Sequence, residues 1–134
     1  MTTFPYEAIT DGIVVRVRPT WLAEESKPKE SRFVWAYQIE VENTSDNTWQ
    51  LIHRHWQIID AMGQTQTVDG EGVVGQQPTL KPGDVFRYTS GAPLSTPSGI
   101  MGGSYDLVDN AGGILSAKIP TFSLDSPHDK RRPS

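Results

Sequence analysis

The sequence contains no cysteine, which excludes disulfide bonds, thiolate metal sites and a cysteine nucleophile. It also lacks an excess of positive charge: the net charge is −4, which argues against bulk binding to nucleic acid or to an anionic membrane surface. No apolar run approaches the roughly 20 residues that span a bilayer, and the first ten residues lack the basic and apolar regions of a signal peptide. We therefore expect a cytoplasmic protein with no membrane partner.

The 134 residues suffice for about one domain. The 12 glycines and 10 prolines indicate many turns between short elements. We predict a single domain over residues 1–124. The remaining segment, 125–134, holds the basic triplet Lys130, Arg131 and Arg132 and no large apolar side chain, so we predict a flexible C-terminal tail.

Apolar residues alternate with other residues in a way that predicts antiparallel strands. The clearest alternation runs from Phe33 to Val41, a second runs from Ile13 to Val17, and a third strand is predicted over 49–60. Turn-rich sequence separates further strands, which we predict over 64–68, 85–90, 100–108 and 114–124. About seven strands without βαβ alternation predict an all-β sandwich of the immunoglobulin or fibronectin type III kind.

Gly70, Gly72 and Gly75 have the G-x-G-x-x-G spacing of dinucleotide-binding loops. In those proteins a helix follows the glycines and directs its N-terminal amides at a pyrophosphate. Here Pro78 and Pro82 follow instead, and they leave no room for a useful helix. The motif is therefore more typical of a structural turn than of a phosphate site.

Asp69-Gly70 is a common hairpin-turn dipeptide, so we place the hairpin apex there, with residues 73–74 on the returning strand. Gly72 and Gly75 would then occupy bulge or positive-φ positions. The alternative is that the backbone amides of this loop bind a small anion or a nucleotide without a helix.

His53 and His55 are two residues apart, so on a strand they share a face and can bind one metal ion. A stable site needs a third ligand, and the remaining histidine, His128, lies in the predicted tail. Hydrogen-bonded histidines without a metal are the more common arrangement. Arg54 and Trp56 share the other face, as a cation–π pair or as an interaction surface. Both faces of this strand carry apolar residues, so the sequence does not decide which face is buried.

Sequence motifs of catalysis are missing. The sequence has neither a G-x-S-x-G elbow nor an H-E-x-x-H motif, and no acidic pair is marked for acid–base chemistry. The aromatic residues do not interleave with Lys or Arg as they do in RNA-stacking surfaces. We therefore predict a protein that is not an enzyme and needs no cofactor.

From Arg54 onward the chain resembles the ApaG family, also called CorD. The matching stretches are Arg54-His55-Trp56-x-Ile58-x-Asp60-x-x-Gly63, Val68-x-GEGVVG-x-Gln77-Pro78-x-Leu80-x-Pro82-Gly83-x-x-Phe86-x-Tyr88-x-Ser90-Gly91, Pro97-x-Gly99-x-Met101-x-Gly103-x-Tyr105 and Ile119-Pro120-x-Phe122-x-Leu124. The resemblance implies a single fibronectin type III-like sandwich without an established enzymatic activity. The family name is tied to an operon with diadenosine tetraphosphate hydrolase and to cobalt and magnesium efflux.

Similar domains occur in eukaryotic F-box adaptors and polymerase-delta-interacting proteins, so the resemblance implies a protein-binding module with an unidentified protein partner. The alternatives are phosphate or nucleotide binding at 70–75 and a role in divalent-cation homeostasis. The chain departs from the family at His53, where Ser is usual, and at Gln76, where Glu is frequent. The first departure weakens the metal hypothesis, and the second removes a charge beside the glycine loop. The sequence specifies no oligomeric state.

Overall fold

A computed structural model describes residues 3–129 and shows two antiparallel sheets packed as an all-β sandwich. The strands are β1 Tyr6–Thr10, β2 Ile13–Trp21, β3 Phe33–Asn43, β4 Trp49–Asp60, β5 Thr65–Glu71, β6 Thr79–Leu80, β7 Val85–Leu94, β8 Gly99–Asp109 and β9 Ile114–Leu124. Within the described range the helical structure is limited to one 3₁₀ turn, Pro28–Glu30, and no helix meets the length and hydropathy of a membrane span. The predicted fold class is confirmed, with two strands more than the sequence indicated.

One sheet has the strand order β1-β2-β3-β7, and the other has the order β5-β4-β8-β9, with β6 also pairing with β4. On one side of the sandwich β1 and β2 pack against β9 and close the gap between the sheets. On the other side the sheets end in β7 and β5. This second side is where the sandwich is open.

The alternation read from the sequence places one face of each strand in the core. Ile13, Val15 and Val17 of β2 are 0% exposed, and Trp35 of β3 is 1% exposed. Side chains of this size each contribute roughly 1.5–3 kcal/mol when they are fully buried. The hydrophobic effect therefore fixes the strand faces, and the core lies between the two sheets.

A β-bulge in β4 changes which residues face the core. Leu51 pairs with Leu107 and His53 with Asp106, so Ile52 is the extra residue between these two pairs. Leu51 before the bulge is buried, and after the bulge it is Trp56 that is buried. A side chain's face follows a period of two, so one inserted residue moves the buried set from odd to even positions. This explains why both faces of β4 carry apolar residues.

The hairpin apex is not at Asp69-Gly70, so that prediction was wrong. Both residues lie in β5, where they pair with His55 and Arg54 of β4. The turn is at 73–76, where Val73 and Gln76 exchange backbone hydrogen bonds and the two residues between them have positive φ, +43° at Val74 and +79° at Gly75. This is the type I′ geometry, whose twist matches that of paired strands. The predicted positive φ at Gly72 and Gly75 is confirmed.

Val74 is a β-branched residue in the left-handed region, where such residues are strained. Its side chain is 53% exposed, so it contributes little burial in return. We expect Val74→Asn to raise the free energy of unfolding by roughly 1 kcal/mol, because Asn tolerates this φ and Asn-Gly is the preferred type I′ pair. Urea denaturation measures the change.

Val85→Asn is the matched control, since Val85 is also partly exposed, at 39%, but lies in an extended strand. It should give no stabilisation. An equal effect in the two variants would assign the gain to lost surface hydrophobicity rather than to backbone strain.

The segment after β9 contacts the sandwich, in contrast to the predicted tail from residue 125. The indole Nε1 of Trp35 donates a hydrogen bond of 2.7 Å to the carbonyl of Asp125, and the hydroxyl of Ser126 donates one of 2.7 Å to the carbonyl of Pro97. The ring of His128 lies 5.7 Å from that of Trp21. The basic triplet at 130–132 lies outside the described residues.

Candidate functional site

A cleft of about 350 Å³ lies between the sheets at the open side of the sandwich. Both sheets and the 73–76 turn contribute to its lining, which consists of Tyr37, Arg54, Trp56, Ile58, Gln66, Val68, Val73, Val74, Tyr88, Ser90, Gly91, Ala92, Pro93 and Met101. Its size is at the lower end of the range for small-molecule sites, about 300–1,000 Å³. We call it the inter-sheet cleft.

Arg54 is the charged residue of the inter-sheet cleft. The bulge in β4 turns it to the same side as Trp56, and its guanidinium lies flat against the backbone of Gly70. A Cβ at position 70 would be only 2.7 Å from the guanidinium carbon Cζ. The missing Cβ of Gly70 therefore leaves room for the guanidinium in this position, and Gly70 lies in a strand rather than in a turn.

The guanidinium of Arg54 has no acidic partner within residues 3–129. Its Nη1 donates hydrogen bonds of 2.9 Å to the carbonyl of Glu71 and 3.0 Å to that of Gly72, and it belongs to none of the ion pairs found there. No Asp or Glu lines the inter-sheet cleft in this part of the chain. The cleft is therefore positively charged, although the whole chain is acidic.

Three tyrosines surround this positive charge. The hydroxyls of Tyr88 and Tyr105 are hydrogen-bonded to each other, and the hydroxyl of Tyr37 is hydrogen-bonded to Ser90. Burial raises the pKa of all three phenols, and the charge of Arg54 partly opposes this rise. The hydroxyls are therefore neutral hydrogen-bond donors and acceptors near neutral pH, and the net charge of the cluster is that of Arg54.

The amides of the glycine motif are largely used within the protein. The amide of Gly72 donates to the carbonyl of Ile52 at 2.7 Å, and the amides of Val73 and Gln76 donate to each other's carbonyls. The motif runs from β5 into the turn, and no helix follows it in the described chain. These amides do not converge on an empty space, so the geometry gives no support to anion binding by Gly70, Gly72 and Gly75.

His53 and His55 share the outer face of β4, as predicted, with 6.5 Å between their ring centroids. However, both ring nitrogens of His55 are occupied: Nδ1 lies 2.6 Å from Asp69 and Nε2 lies 2.7 Å from Asp106. The search of residues 3–129 finds no group of three or more His, Asp or Glu side chains that could hold a metal ion. The geometry therefore does not support the pair as metal ligands.

Trp56 does not form the predicted exposed surface. It is 5% exposed, and its ring packs against Tyr37, Tyr105 and Phe122 at centroid distances of 5.3, 6.5 and 6.1 Å. The prediction of an interaction surface at Trp56 is thus corrected to a core residue whose small accessible part lines the inter-sheet cleft. For Arg54 an interaction role stays a prediction, now at the cleft.

Hydrogen bonds to Asp106 and Asp69 raise the pKa of His55 above its ordinary value of 6.5. A raised pKa means that the pair stabilises the fold fully below about pH 6.5 and that this contribution is lost as the pH rises through the raised pKa. The imidazole is 42% exposed, so we expect a loss of less than about 1 kcal/mol between about pH 6 and pH 9. Urea denaturation across this range measures it.

In His55→Gln this pH-dependent loss should disappear. His53→Gln is the control, because His53 is 3.8 Å from Asp106 and should leave the loss intact. If the stability of His55→Gln depends on pH in the same way as that of the unaltered protein, then the pair of His55 with the two aspartates is not the source of the loss.

Comparison with known proteins gives one consistent result. The ApaG domain model matches residues 23–109. A protein named Protein ApaG from Rhodospirillum centenum is 54% identical over 129 residues, which cover 96% of this chain and 99% of that protein. Another of that name, from Paramagnetospirillum magneticum, is 51% identical over 127 residues, covering 95% and 98%. The crystal structure of a Bordetella pertussis protein described as ApaA has a TM-score of 0.83 and 41% identity, covering 96% and 100%.

Proposed function

The chain belongs to the ApaG family, and we propose that it is a non-catalytic module that binds an extended segment of a protein partner at the open side of its sandwich. The observation that carries this proposal is the coincidence of two sheet edges, β5 and β7, with the inter-sheet cleft. An edge strand offers unpaired backbone groups to a further strand. The cleft beside it offers space for alternate side chains of that strand.

The β5 edge is open to such pairing. Natural sheets often block their edges with Pro or Lys, and β5, Thr65–Glu71, contains neither residue. Five of its seven residues are exposed, and β4 provides its one partner strand in the described chain. β7, in contrast, carries Pro93. The structure therefore favours β5 as the edge that receives the partner.

The chemistry of the inter-sheet cleft supports binding rather than catalysis. Its polar side chains in the described chain are a guanidinium, phenols, one amide and one hydroxyl, with no carboxylate or imidazole to act as a base. His55 is held between two aspartates on the outer face, so neither ring nitrogen is available to a nucleophile. No part of this arrangement pairs a nucleophile with a base.

Affinity capture with an edge variant tests the proposal. We expect a protein that is retained by the unaltered chain to be lost with Thr67→Lys, which adds a charge to the exposed middle of β5. Ser116→Lys, on the exposed face of β9, adds the same charge away from the cleft and should retain it. The recovered protein should also protect amides of β5 from hydrogen exchange.

Two results would contradict the proposal. One is the absence of any retained protein above background. The other is equal retention by all three chains together with protection confined to strands away from the open side.

A further inference from the structure

We propose that the inter-sheet cleft recognises a carboxylate joined to an apolar group, with Arg54 as the anchor of the carboxylate. This inference rests on the proposed function, because it assigns the chemistry of the partner segment: an acidic group followed or preceded by a large apolar side chain. The proposal names the ligand of the cleft, whereas the proposed function concerns the β5 edge. The two can therefore be tested separately.

The unpaired donors on one edge of the Arg54 guanidinium are the first observation that supports a carboxylate ligand. The hydrogen bonds that Arg54 makes within residues 3–129 are both donated by Nη1. Its Nε and Nη2 groups have no acceptor there, and these two donors form the planar fork that matches the two oxygens of a carboxylate. The contact with Gly70 holds this fork in place from one side. The side chain is thus preorganised and retains its donors for a ligand.

The charge balance of the cleft is the second observation, and it supports an anionic ligand. No acidic side chain of the described residues lines it, so the positive charge has no internal counterion. The tyrosine hydroxyls nearby are already engaged with each other or with Ser90. A cationic ligand would meet repulsion from Arg54, and a neutral acceptor would pair the donors but leave the charge without a counterion. An anion satisfies both the charge and the donors.

The apolar lining of the cleft is the third observation, and it supports a ligand with an apolar group. Trp56, Ile58, Val68, Val73 and Met101 line the cleft together with Arg54. A phosphate alone would leave the accessible parts of this lining, mainly at Ile58 and Val68, in contact with water, and a single guanidinium has few donors for a dianion. A carboxylate joined to a hydrocarbon group both covers the apolar lining of the cleft and pairs with the charge of Arg54. The volume of about 350 Å³ accommodates one large side chain.

The test is a titration of the full chain with 4-phenylbutyrate, followed by amide and indole chemical shifts. We expect saturable shifts of Trp56 and its neighbours in the cleft. The same titrations with 4-phenyl-1-butanol and 4-phenylbutylamine, which lose the charge-assisted pair, and with inorganic phosphate, which loses the apolar contact, should give affinities at least about tenfold weaker. Equal affinity for the alcohol, or shifts centred on His55 instead of Trp56, would overturn the proposal.

Two variants with different mechanisms guard against a folding artefact. Arg54→Gln removes the charge, and Gly70→Ala keeps it but places a Cβ 2.7 Å from the guanidinium and displaces a flexible side chain. Each should weaken phenylbutyrate binding by at least about tenfold. Arg87→Gln is the matched control, because Arg87 pairs with Glu40 and lies outside this cleft. Unchanged binding in both variants would overturn the role of Arg54.

Peptides identify the source of the carboxylate. One ends in Phe with a free carboxylate, a second has that terminus amidated, and a third is amidated but carries an internal Glu beside Phe. Binding of the first or the third, lost in Arg54→Gln, supports the assignment to a partner segment. Binding of phenylbutyrate with none of the peptides would overturn that assignment. Loss of partner capture by Thr67→Lys with unchanged phenylbutyrate binding would show that the edge and the cleft act independently.

Discussion

Gly103→Ala should lower the free energy of unfolding by at least about 3 kcal/mol, or prevent folding altogether. Gly103 lies in β8 with φ of +158°, and a Cβ there would be 1.9 Å from the carbonyl oxygen of His55. That oxygen belongs to β4, a central strand paired on both sides, so it cannot move without breaking a ladder. Thermal unfolding should show a decrease in Tm of about 10 °C or more.

Gly91→Ala is the control for this effect. At Gly91 the nearest atom to an added Cβ is the carbonyl oxygen of Trp35 at 3.6 Å, an ordinary contact. We expect a change of less than about 1 kcal/mol. If Gly91→Ala destabilises the protein as much as Gly103→Ala, then the requirement at 103 is not the close approach of two backbones.

The strands of the core could be predicted because burial imposes a period of two on the sequence. The predicted limits of β4, 49–60, match the structure, and the inward residues of β2 and β3 are those that alternate. β1 and the two-residue β6 were missed, since neither has a run of large apolar residues. Local pattern is sufficient where each strand has one buried face.

The candidate site could not be predicted in the same way, because it depends on register. The insertion of Ile52 decides that Arg54 turns toward the cleft, and no local signal marks that residue as a bulge. The aspartates that hold His55 are 14 and 51 residues away in the chain. Sequence pattern identified His55 and Arg54 as unusual, but their partners follow from strand pairing.

The wrong position predicted for the hairpin turn has a related cause. A glycine is needed either for a positive φ or for a close approach of another group, and a dipeptide cannot distinguish the two. Gly70 serves the second purpose, beneath the guanidinium of Arg54. Gly75 serves the first, in the turn. The Asp-Gly signal therefore predicted a turn where the structure has a strand that lies close to a side chain.

Trp56→Ala should destabilise the protein by roughly 3–5 kcal/mol, the usual cost of replacing a buried aromatic residue with alanine. Trp56 is 5% exposed and packs against three other aromatic rings, so its loss leaves a cavity that the rigid sandwich cannot close. The adjacent Gln57 is exposed on the opposite face of β4, and Gln57→Ala should change stability by less than about 0.5 kcal/mol. Urea denaturation of the two variants compares them directly. If the two variants change the free energy of unfolding by equally small amounts, Trp56 is a surface residue. Its position in the lining of the cleft would then not be held by core packing.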